Sequence, residues 1–473
     1  MVRRLGEIVS QVFRRIVPDP LVIAVLLTIV VLIAALLAGT YPETNESGEK
    51  IEGLVGQATY LLDIWRTDAG LWKLLSFAME MSLILLGGYV LADARPTRHL
   101  LKSIASLPPN GPAAAAMIGV VAALLGLLNW GLGLIGGAVL ARETGRSLHA
   151  RGIPAHYPLL AAAGYMGLLV WHGGLSGSAP LSMTTEKGAA RVLPTSVLAD
   201  TPTIPLSETI FSPLNLMGTG GLLVLIPFLL AAMSPRASDR TEITDIEHFL
   251  PTTDIDSAPR HVGVGTMADF LNGSRLISTL LGLAFLTAAI RGTWVSGIDR
   301  IGLDEVIMYL LAAAAVLHDN PRSMMLSAAR AAAGCAGIIV QFPLYAGIMG
   351  LMVASGLIIS LTDGMLELAA PHTLGIWTML SAGVVNLMVP SGGGQWAVQG
   401  PVALQAAMES GIAPGRLVMS VAWGDQLTNM LQPFWALPLL AVTGVRARDI
   451  VGYTAVVMIA ATGWLVFCLA ITA

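Results

Sequence analysis

The pentapeptide Asn-Trp-Gly-Leu-Gly at 129–133 interrupts an apolar stretch that runs from about Pro112 to Ala141. A second apolar stretch, from about Pro371 to Met408, is interrupted by Asn386 and then by Pro-Ser-Gly-Gly-Gly-Gln at 390–395. Backbone in hydrocarbon must find its hydrogen bonds within the protein, so helix breaks at membrane depth occur only where protein encloses them. The two interruptions therefore predict a binding cavity inside a helical membrane protein.

Each of these stretches is followed by another interrupted one. The first reads Trp-His-Gly-Gly-Leu-Ser-Gly-Ser-Ala-Pro at 171–180, and the second reads Gly-Asp-Gln-Leu-Thr-Asn-Met-Leu-Gln-Pro at 424–433. The same two-part arrangement thus occurs once in each half of the chain. Matching interruptions in two halves are typical of secondary transporters that are built from inverted repeats, with the binding site at the breaks.

Composition places the chain in the membrane. Of its 473 residues, 55% are hydrophobic and only 12% are charged, whereas about 25% are charged in soluble domains. The sequence therefore predicts an all-α polytopic protein in the lipid bilayer, organised as one membrane unit. A formal net charge of −4 argues against a nucleic-acid partner. We expect the chain to cross the plasma membrane of a bacterial or archaeal cell, the inner membrane where there are two.

The charge of the loops predicts the orientation. Four arginines within residues 1–17 place the N-terminus in the cytoplasm. The first interrupted stretch is long for one crossing and short for two, and Arg142, Arg146 and Arg151 after it again indicate the inside. A re-entrant hairpin with Asn129 at its tip satisfies both length and charge. Counting spans then opens the second hairpin to the outside, which makes the halves an inverted repeat.

The predicted domain organisation follows from these boundaries. Its parts are a cytoplasmic N-terminus at 1–17, a first inverted repeat at 18–233 with a re-entrant hairpin at about 112–141, a polar linker and extra span at 234–302, and a second inverted repeat at 303–473 with a re-entrant hairpin at about 372–410.

Broken helices leave free N–H groups, which attract anions, and free carbonyl groups, which attract cations. We predict that the substrate binds at Asn129, Trp130, Gly131, Ser176, Ser178, Asn386, Ser391, Gly392, Gly393, Gln395 and Asn429. We predict that the coupling cation acts at Asp425, Gln426, Thr428, Gln432 and His172, and that a Na⁺ ion would bind near Asn129, Ser176, Asn386 and Asp425. No catalytic residue is expected, and no cofactor besides a co-transported Na⁺.

Several of these residues also have a structural interpretation. Glycines in membrane helices often serve close packing alone. Asp425 could cap the broken helix, and His172 could be a buried imidazole with satisfied hydrogen bonds. Glu80 in the second span is a further candidate for a coupling proton, because ionisable residues inside a membrane are functional candidates by default.

The breaks contain no arginine or lysine. A dicarboxylate usually needs one, so the composition favours a single carboxylate that is held by amides, hydroxyls and helix ends beside an apolar tail. Four tryptophans could wall this tail or could simply pack between helices, namely Trp130, Trp171, Trp396 and Trp423.

Six motifs carry a resemblance to a known family. They are Pro-Asp-Pro-Leu at 18–21, Asn-Trp-Gly at 129–131, Leu-Ser-Gly-Ser at 175–178, Val-Pro-Ser-Gly-Gly-Gly at 389–394, Gln-Gly-Pro at 399–401 and Gln-Pro-Phe-Trp-Ala-Leu-Pro at 432–438. With these motifs essentially the whole chain resembles the short-chain fatty acid transporters of the AtoE type, within the larger ion-transporter superfamily.

The resemblance implies a scaffold and a mobile transport domain, often in a homodimer that works by an elevator motion. It also implies symport of acetoacetate, butyrate or a similar monocarboxylate with a cation. The chain departs from the family pattern at His172, Glu80, Gln395 and Asp425, where Gly, Gln, His and Glu are expected. The exact substrate and the coupling ion, Na⁺ or H⁺, therefore stay open.

Other functions compete with this one. Another transported carboxylate, such as a C4-dicarboxylate or an amino acid conjugate, is the main alternative. Gly-Leu-Ser-Gly at 174–177 fits the pattern of an intramembrane serine protease, but such a serine needs a histidine base within reach, and we do not expect His172 to point toward it. A channel or a non-transporting scaffold is a third alternative. We expect a transporter and not an enzyme.

Overall fold

The computed structural model describes residues 18–44, 48, 50–184, 186–190, 203–234, 266–296, 303–332 and 335–472. The predicted cytoplasmic N-terminus with its four arginines, and most of the predicted polar linker, lie outside the described residues.

Within the ranges just given, all regular secondary structure is helical apart from one isolated bridge between Thr44 and Lys50. The helices of the first half are α1 (Pro20–Ala38), α2 (Gly53–Arg66), α3 (Leu75–Asp93), α4 (Arg95–Ala105), α5 (Gly111–Leu128), α6 (Trp130–Ala150), α7 (Tyr157–Gly164), α8 (Ser178–Ser182), α9 (Glu186–Ala190) and α10 (Pro213–Met233).

The second half continues the all-helical pattern. Its helices are α11 (Met267–Asn272), α12 (Arg275–Ser296), α13 (Leu303–Leu317), α14 (Pro321–Ala332), α15 (Ala336–Ala354), α16 (Leu357–Leu366), α17 (Leu374–Met388), α18 (Gly392–Ser410), α19 (Pro414–Thr428), α20 (Pro433–Thr443) and α21 (Ala447–Ile471).

Six of the described helices, α1, α5, α10, α12, α15 and α21, are long and apolar enough to cross a membrane. The outer surface of α1 is apolar, with Leu37 81% exposed and Val30 59% exposed. Soluble monomers rarely expose large contiguous apolar patches, whereas lipid covers them. The prediction of an all-α polytopic membrane protein is confirmed.

Helices α5 and α6 form an antiparallel pair, which we call hairpin 1. A Cβ added to Gly133 would lie 2.5 Å from the Cα of Gly126, and one added to Gly137 would lie 2.9 Å from the Cβ of Ala122. Hairpin 1 is longer than predicted, because α6 continues past Ala141 to Ala150. Arg142 therefore lies within α6 and not in a loop. Its Nε donates a hydrogen bond of 3.0 Å to Glu143 on the same helix.

Helices α17 and α18 form the second antiparallel pair, hairpin 2. The amide Nε2 of Gln395 on α18 donates to the carbonyl of Ala382 on α17 over 2.8 Å. Farther from the tip, Gln399 Nε2 donates to Ser381 Oγ over 2.9 Å. Two hairpins thus occur where the sequence predicted them.

Both predicted broken helices are present. Helix α7 gives way to two 3₁₀ turns before α8 begins, and we call residues 165–177 break 1. Helix α19 is followed by the 3₁₀ turn Asn429–Leu431 and then by α20, and we call residues 429–432 break 2. Pro433 begins α20 at the first helical position, where its missing N–H costs no hydrogen bond. The Tyr165 hydroxyl donates to the Asn429 carbonyl over 3.0 Å and so brings the two breaks together.

Candidate functional site

Asn129 at the tip of hairpin 1 caps helix α6. Its side-chain oxygen accepts hydrogen bonds from the backbone N–H groups of Gly131 at 3.0 Å and Leu132 at 3.2 Å, as an N-cap residue does. The next backbone N–H, that of Trp130, donates to Ser176 Oγ over 2.9 Å. The tip of hairpin 1 is therefore fixed to break 1 of the same half.

Asn386 on hairpin 2 anchors break 2. Its Nδ2 lies 2.7 Å from the Asp425 carbonyl, 2.9 Å from Thr428 Oγ1 and 2.9 Å from Asn429 Oδ1. An amide nitrogen carries two hydrogens, so these three acceptors share them. The Asn386 carbonyl in turn accepts from Gln432 Nε2. One buried side chain and its own carbonyl thus connect hairpin 2 to two residues of α19 and two of break 2.

The two halves meet at His172. Its Nδ1 lies 3.3 Å from Asp425 Oδ1, although the two atoms lack hydrogen-bonding geometry, and its backbone N–H donates to Gln426 Oε1 over 3.2 Å. The tip of hairpin 2 covers the same point, since a Cβ on Gly392 would lie 2.9 Å from the His172 ring and 2.8 Å from Trp171. Break 1, helix α19 and hairpin 2 therefore converge on one imidazole.

Three tryptophans gather next to this imidazole. The Trp130 ring is 5.2 Å from Trp435 and 6.4 Å from Trp171 between centroids, both edge-on. Trp171 stacks on His172 with 3.9 Å between ring centroids. This cluster contains Trp130 and Trp171, two of the four tryptophans that were predicted to wall an apolar tail. It also contains Trp435, which the prediction did not include.

The other two predicted tryptophans have different surroundings. The indole N–H of Trp423 donates to Asn215 Oδ1 over 3.2 Å. Trp396 packs within α18, where its ring lies 2.9 Å from the position of a Cβ on Gly400. The contacts of these two rings are those of packing between and along helices, which was the alternative that the sequence left open.

The convergence point contains buried polar atoms that have no hydrogen-bond partner among the described residues. A buried group without a partner costs about 1–3 kcal/mol and therefore marks a place where a ligand would stabilise the protein. At this point and in the adjoining break 2 they are three donors, three acceptors and one imidazole nitrogen that can be either, namely Trp171 Nε1, Gln426 Nε2, Asn429 Nδ2, Asn386 Oδ1, Asp425 Oδ2, Gln432 Oε1 and His172 Nδ1. The donors suit an anion and the acceptors suit a cation.

The remaining predicted ligands lie at the tip of hairpin 2 and on α8. Ser391 Oγ accepts from the backbone N–H of Gly394 over 3.2 Å and so caps α18. Gln395 directs its amide nitrogen into the interior of hairpin 2. Gly393 is exposed, and a Cβ there would lie 4.0 Å from Ser178 Cβ. The tip of hairpin 2 therefore faces α8 of the first half.

The predicted Na⁺ ligands and Glu80 are also placed. Ser176 Oγ accepts from the backbone N–H of Trp130, next to Asn129 at the tip of hairpin 1, and the Asn386 amide donates to the backbone carbonyl of Asp425. The four residues thus lie in two groups, one at each hairpin. Glu80 lies on α3, which packs against α13 and α14 and belongs to neither hairpin nor break.

Asn215 on α10 was not among the predicted site residues. Its Nδ2 donates to the carbonyls of Gly173 at 2.9 Å and Ile210 at 2.7 Å, while its Oδ1 accepts from Trp423 and from Thr219. The side chain thereby ties break 1 to α19. The sequence does contain a sign of this role, because Asn215 is a lone amide at the start of an apolar span.

Comparisons with known proteins identify the family. A family model described as "Short chain fatty acid transporter" matches residues 1–472. A protein of Escherichia coli K12, named "Putative short-chain fatty acid transporter", is 34% identical over 460 residues that cover 96% of both chains. A Haemophilus influenzae protein of the same name is 31% identical over 454 residues, again 96% of both. The chain belongs to the short-chain fatty acid transporter family.

Two solved structures share a weaker likeness. The Alcanivorax borkumensis YdaH transporter has a TM-score of 0.42 at 16% identity and covers 96% of this chain and 97% of its own. Neisseria gonorrhoeae MtrF has a TM-score of 0.38 at 15% identity and covers 96% and 95%.

Membership in this family makes the chain a membrane transporter and not an enzyme. Ser176 is the serine of the protease alternative. Its Oγ accepts a hydrogen bond from the backbone N–H of Trp130 and so holds the tip of hairpin 1 in place.

Proposed function

We propose that the chain is a secondary active transporter that takes up short-chain monocarboxylates, such as acetoacetate or butyrate, in symport with Na⁺ or H⁺. The observation that carries the proposal is the set of buried donors and acceptors without partners where break 1, α19 and hairpin 2 meet. Family membership supplies the substrate class, and the site supplies polar groups for both an anion and a cation.

The electrostatics of the site favour symport. Asp425 is 1% exposed, and a bound carboxylate near it would be repelled. Two like charges 4 Å apart disfavour each other by about 4 kcal/mol at an effective dielectric constant of 20. A cation or proton that binds at Asp425 removes this repulsion, so substrate and cation bind better together than alone. His172 lies 3.3 Å from this carboxylate, and Asn386 connects the Asp425 backbone to Thr428 and Gln432; these residues would complete the proposed cation site.

The proposed mechanism moves the site across the membrane. Hairpins 1 and 2 would enter from opposite sides as re-entrant elements of inverted repeats at 18–233 and 303–473. With their breaks they would form a mobile transport domain that works by an elevator motion, in a homodimer in the plasma membrane with the N-terminus in the cytoplasm. The support is that hairpin 2 contacts break 1 across the two halves, so the four elements can move as one body.

Uptake into proteoliposomes tests the proposal. Labelled butyrate and acetoacetate are offered under an imposed Na⁺ or H⁺ gradient to the wild type, to Asp425→Asn and to Glu409→Gln, a control on the exposed end of α18. We expect one gradient to drive uptake in the wild type and the control, and Asp425→Asn to lose the concentrative component. If neither acid enters under any gradient, the proposal is wrong, and C4-dicarboxylates and amino acid conjugates are tested next.

A further inference from the structure

A site for a carboxylate that contains no arginine or lysine needs another source of hydrogen-bond donors. Trp171 in break 1 offers one. Its side chain is 3% exposed, and its indole N–H has no partner in the part of the chain that the structure describes. An indole nitrogen can only donate, so the group can be satisfied by an acceptor and by nothing else.

Gln426 on α19 offers the second donor. Its Oε1 accepts from the backbone N–H of His172, the residue that follows Trp171, over 3.2 Å. This bond fixes which end of the amide faces break 1, and it leaves Nε2 as a buried donor without a partner among the described residues. The side chain is fully buried, so water does not satisfy this donor freely.

We propose that the Trp171 indole N–H and the Gln426 amide N–H hold the carboxylate of the transported acid. This assignment rests on the proposed function and deepens it. It places Gln426 at the carboxylate of the substrate, whereas the sequence predicted it at the coupling cation. The two donors belong to different halves of the chain, so a bound carboxylate would bridge break 1 and α19. Trp130 packs edge-on against both Trp171 and Trp435, and this aromatic cluster would offer apolar surface to a short tail.

Neutral donors suit a monocarboxylate better than a guanidinium would. A hydrogen bond from a neutral donor to an anion is weaker than an ion pair with a guanidinium, so two of them hold an anion that the transporter can also release. A fixed positive charge would in addition neutralise Asp425 and would weaken the requirement for a co-bound cation. The site thus leaves that role to the transported cation.

The first test removes one N–H and keeps an aromatic ring. Trp171→Phe is compared with Trp396→Phe, in which an equally buried indole N–H without a described partner is removed inside hairpin 2. Butyrate uptake is measured in proteoliposomes over a range of concentrations. We expect Trp171→Phe to raise KM about tenfold or more with little change in Vmax, while Trp396→Phe leaves KM unchanged.

The second test reverses the polarity of the other donor. Gln426→Glu keeps an oxygen for the His172 N–H and replaces Nε2 by a second acceptor with negative charge. We expect KM for butyrate to rise further than in Trp171→Phe, while Gln426→Met, which removes both polar atoms, causes a smaller rise. Thermal stability in detergent, measured without substrate, identifies variants that fail only because they do not fold.

The results separate the assignment from the function. If the wild type transports no short-chain acid, the proposed function fails. If the wild type transports butyrate and the two tryptophan variants have equal KM values, or Gln426→Glu binds butyrate as well as Gln426→Met does, the assignment of the carboxylate is wrong and the function stands.

Discussion

The two hairpins occupy matching places in the two halves, yet their arms are held together by different contacts. In hairpin 1 backbone lies on backbone, because a Cβ on Gly133 would be 2.5 Å from the Cα of Gly126. The same arm lies equally close to α7, since a Cβ on Gly137 would meet the Gly164 carbonyl. In hairpin 2 the arms are bridged by the side-chain amides of Gln395 and Gln399.

The difference predicts which hairpin can open. Close packing at glycines gives van der Waals contact along the whole interface between the two arms. Separating the arms would break all of this contact together. Side-chain amides form a few discrete hydrogen bonds that can be exchanged for others, at a net contribution of about 0.5–1.5 kcal/mol each. We therefore expect hairpin 1 to form a fixed wall with break 1, and hairpin 2 to be the more easily separated of the two.

The largest effect is expected from Gly137→Ala in hairpin 1. The new Cβ would meet the backbone of Gly164, which cannot rotate away, so the arm or α7 must shift at a cost of about 1–3 kcal/mol or more. Thermal unfolding in detergent, followed by size-exclusion chromatography, measures the loss. Gly393→Ala is the matched control in hairpin 2, where the nearest atom is 4.0 Å away. Equal melting temperatures would contradict the glycine-packed interface.

Asn386→Ala is expected to have the next largest effect. The change removes the donor that the Asp425 carbonyl, Thr428 Oγ1 and Asn429 Oδ1 share, and leaving a buried acceptor without a partner costs about 1–3 kcal/mol. We expect a lower melting temperature and loss of butyrate uptake together. A variant that keeps its stability and loses only uptake would show that Asn386 serves the ligand more than break 2.

Gln399→Ala addresses the bridge within hairpin 2. It leaves Gln395 Nε2 with the Ala382 carbonyl alone and removes the bond to Ser381, so we expect a loss of about 0.5–1.5 kcal/mol. Gln405→Ala on the exposed side of the same helix, where the amide bonds only to Glu409, is the control and should stay within about 0.5 kcal/mol of the wild type.

Distances between spin labels can show whether the two hairpins open independently. With a spin label on each arm, Gln399→Ala should broaden the distance distribution across hairpin 2 and leave hairpin 1 unchanged. A broadening in both hairpins would mean that they open as one unit.

The sequence was sufficient to locate the hairpins and the breaks. Asn129, Asn386 and the Gly- and Pro-rich runs beside them interrupt apolar stretches, and backbone chemistry in lipid leaves few other interpretations of such a pattern. The C-terminal end of hairpin 1 was harder to place. Arg142 and Glu143 neutralise each other inside α6, so charges that suggested a loop lie within a helix.

Which side chains face the site could not be predicted from spacing. Gln395 lies in the most Gly-rich break, yet its amide nitrogen bonds within hairpin 2, because Ala382 on the opposite arm presents a carbonyl there. Asn215 lies far from every break in sequence and reaches Gly173 and Trp423 only through the packing of α10. These partnerships depend on tertiary contacts over long sequence separations, which periodicity does not encode.

An effect as small as that of Gln399→Ala is expected from Asn129→Ala, the counterpart of Asn386→Ala in hairpin 1. Asn129 caps its own helix through Gly131 and Leu132, so its loss should cost about 1 kcal/mol, less than the loss of Asn386. Asn129→Ser restores a capping oxygen without the amide and should recover both stability and uptake. Recovery of stability without uptake would instead give the amide a role at the ligand, as the sequence predicted, and the two tips would then differ in packing but not in function.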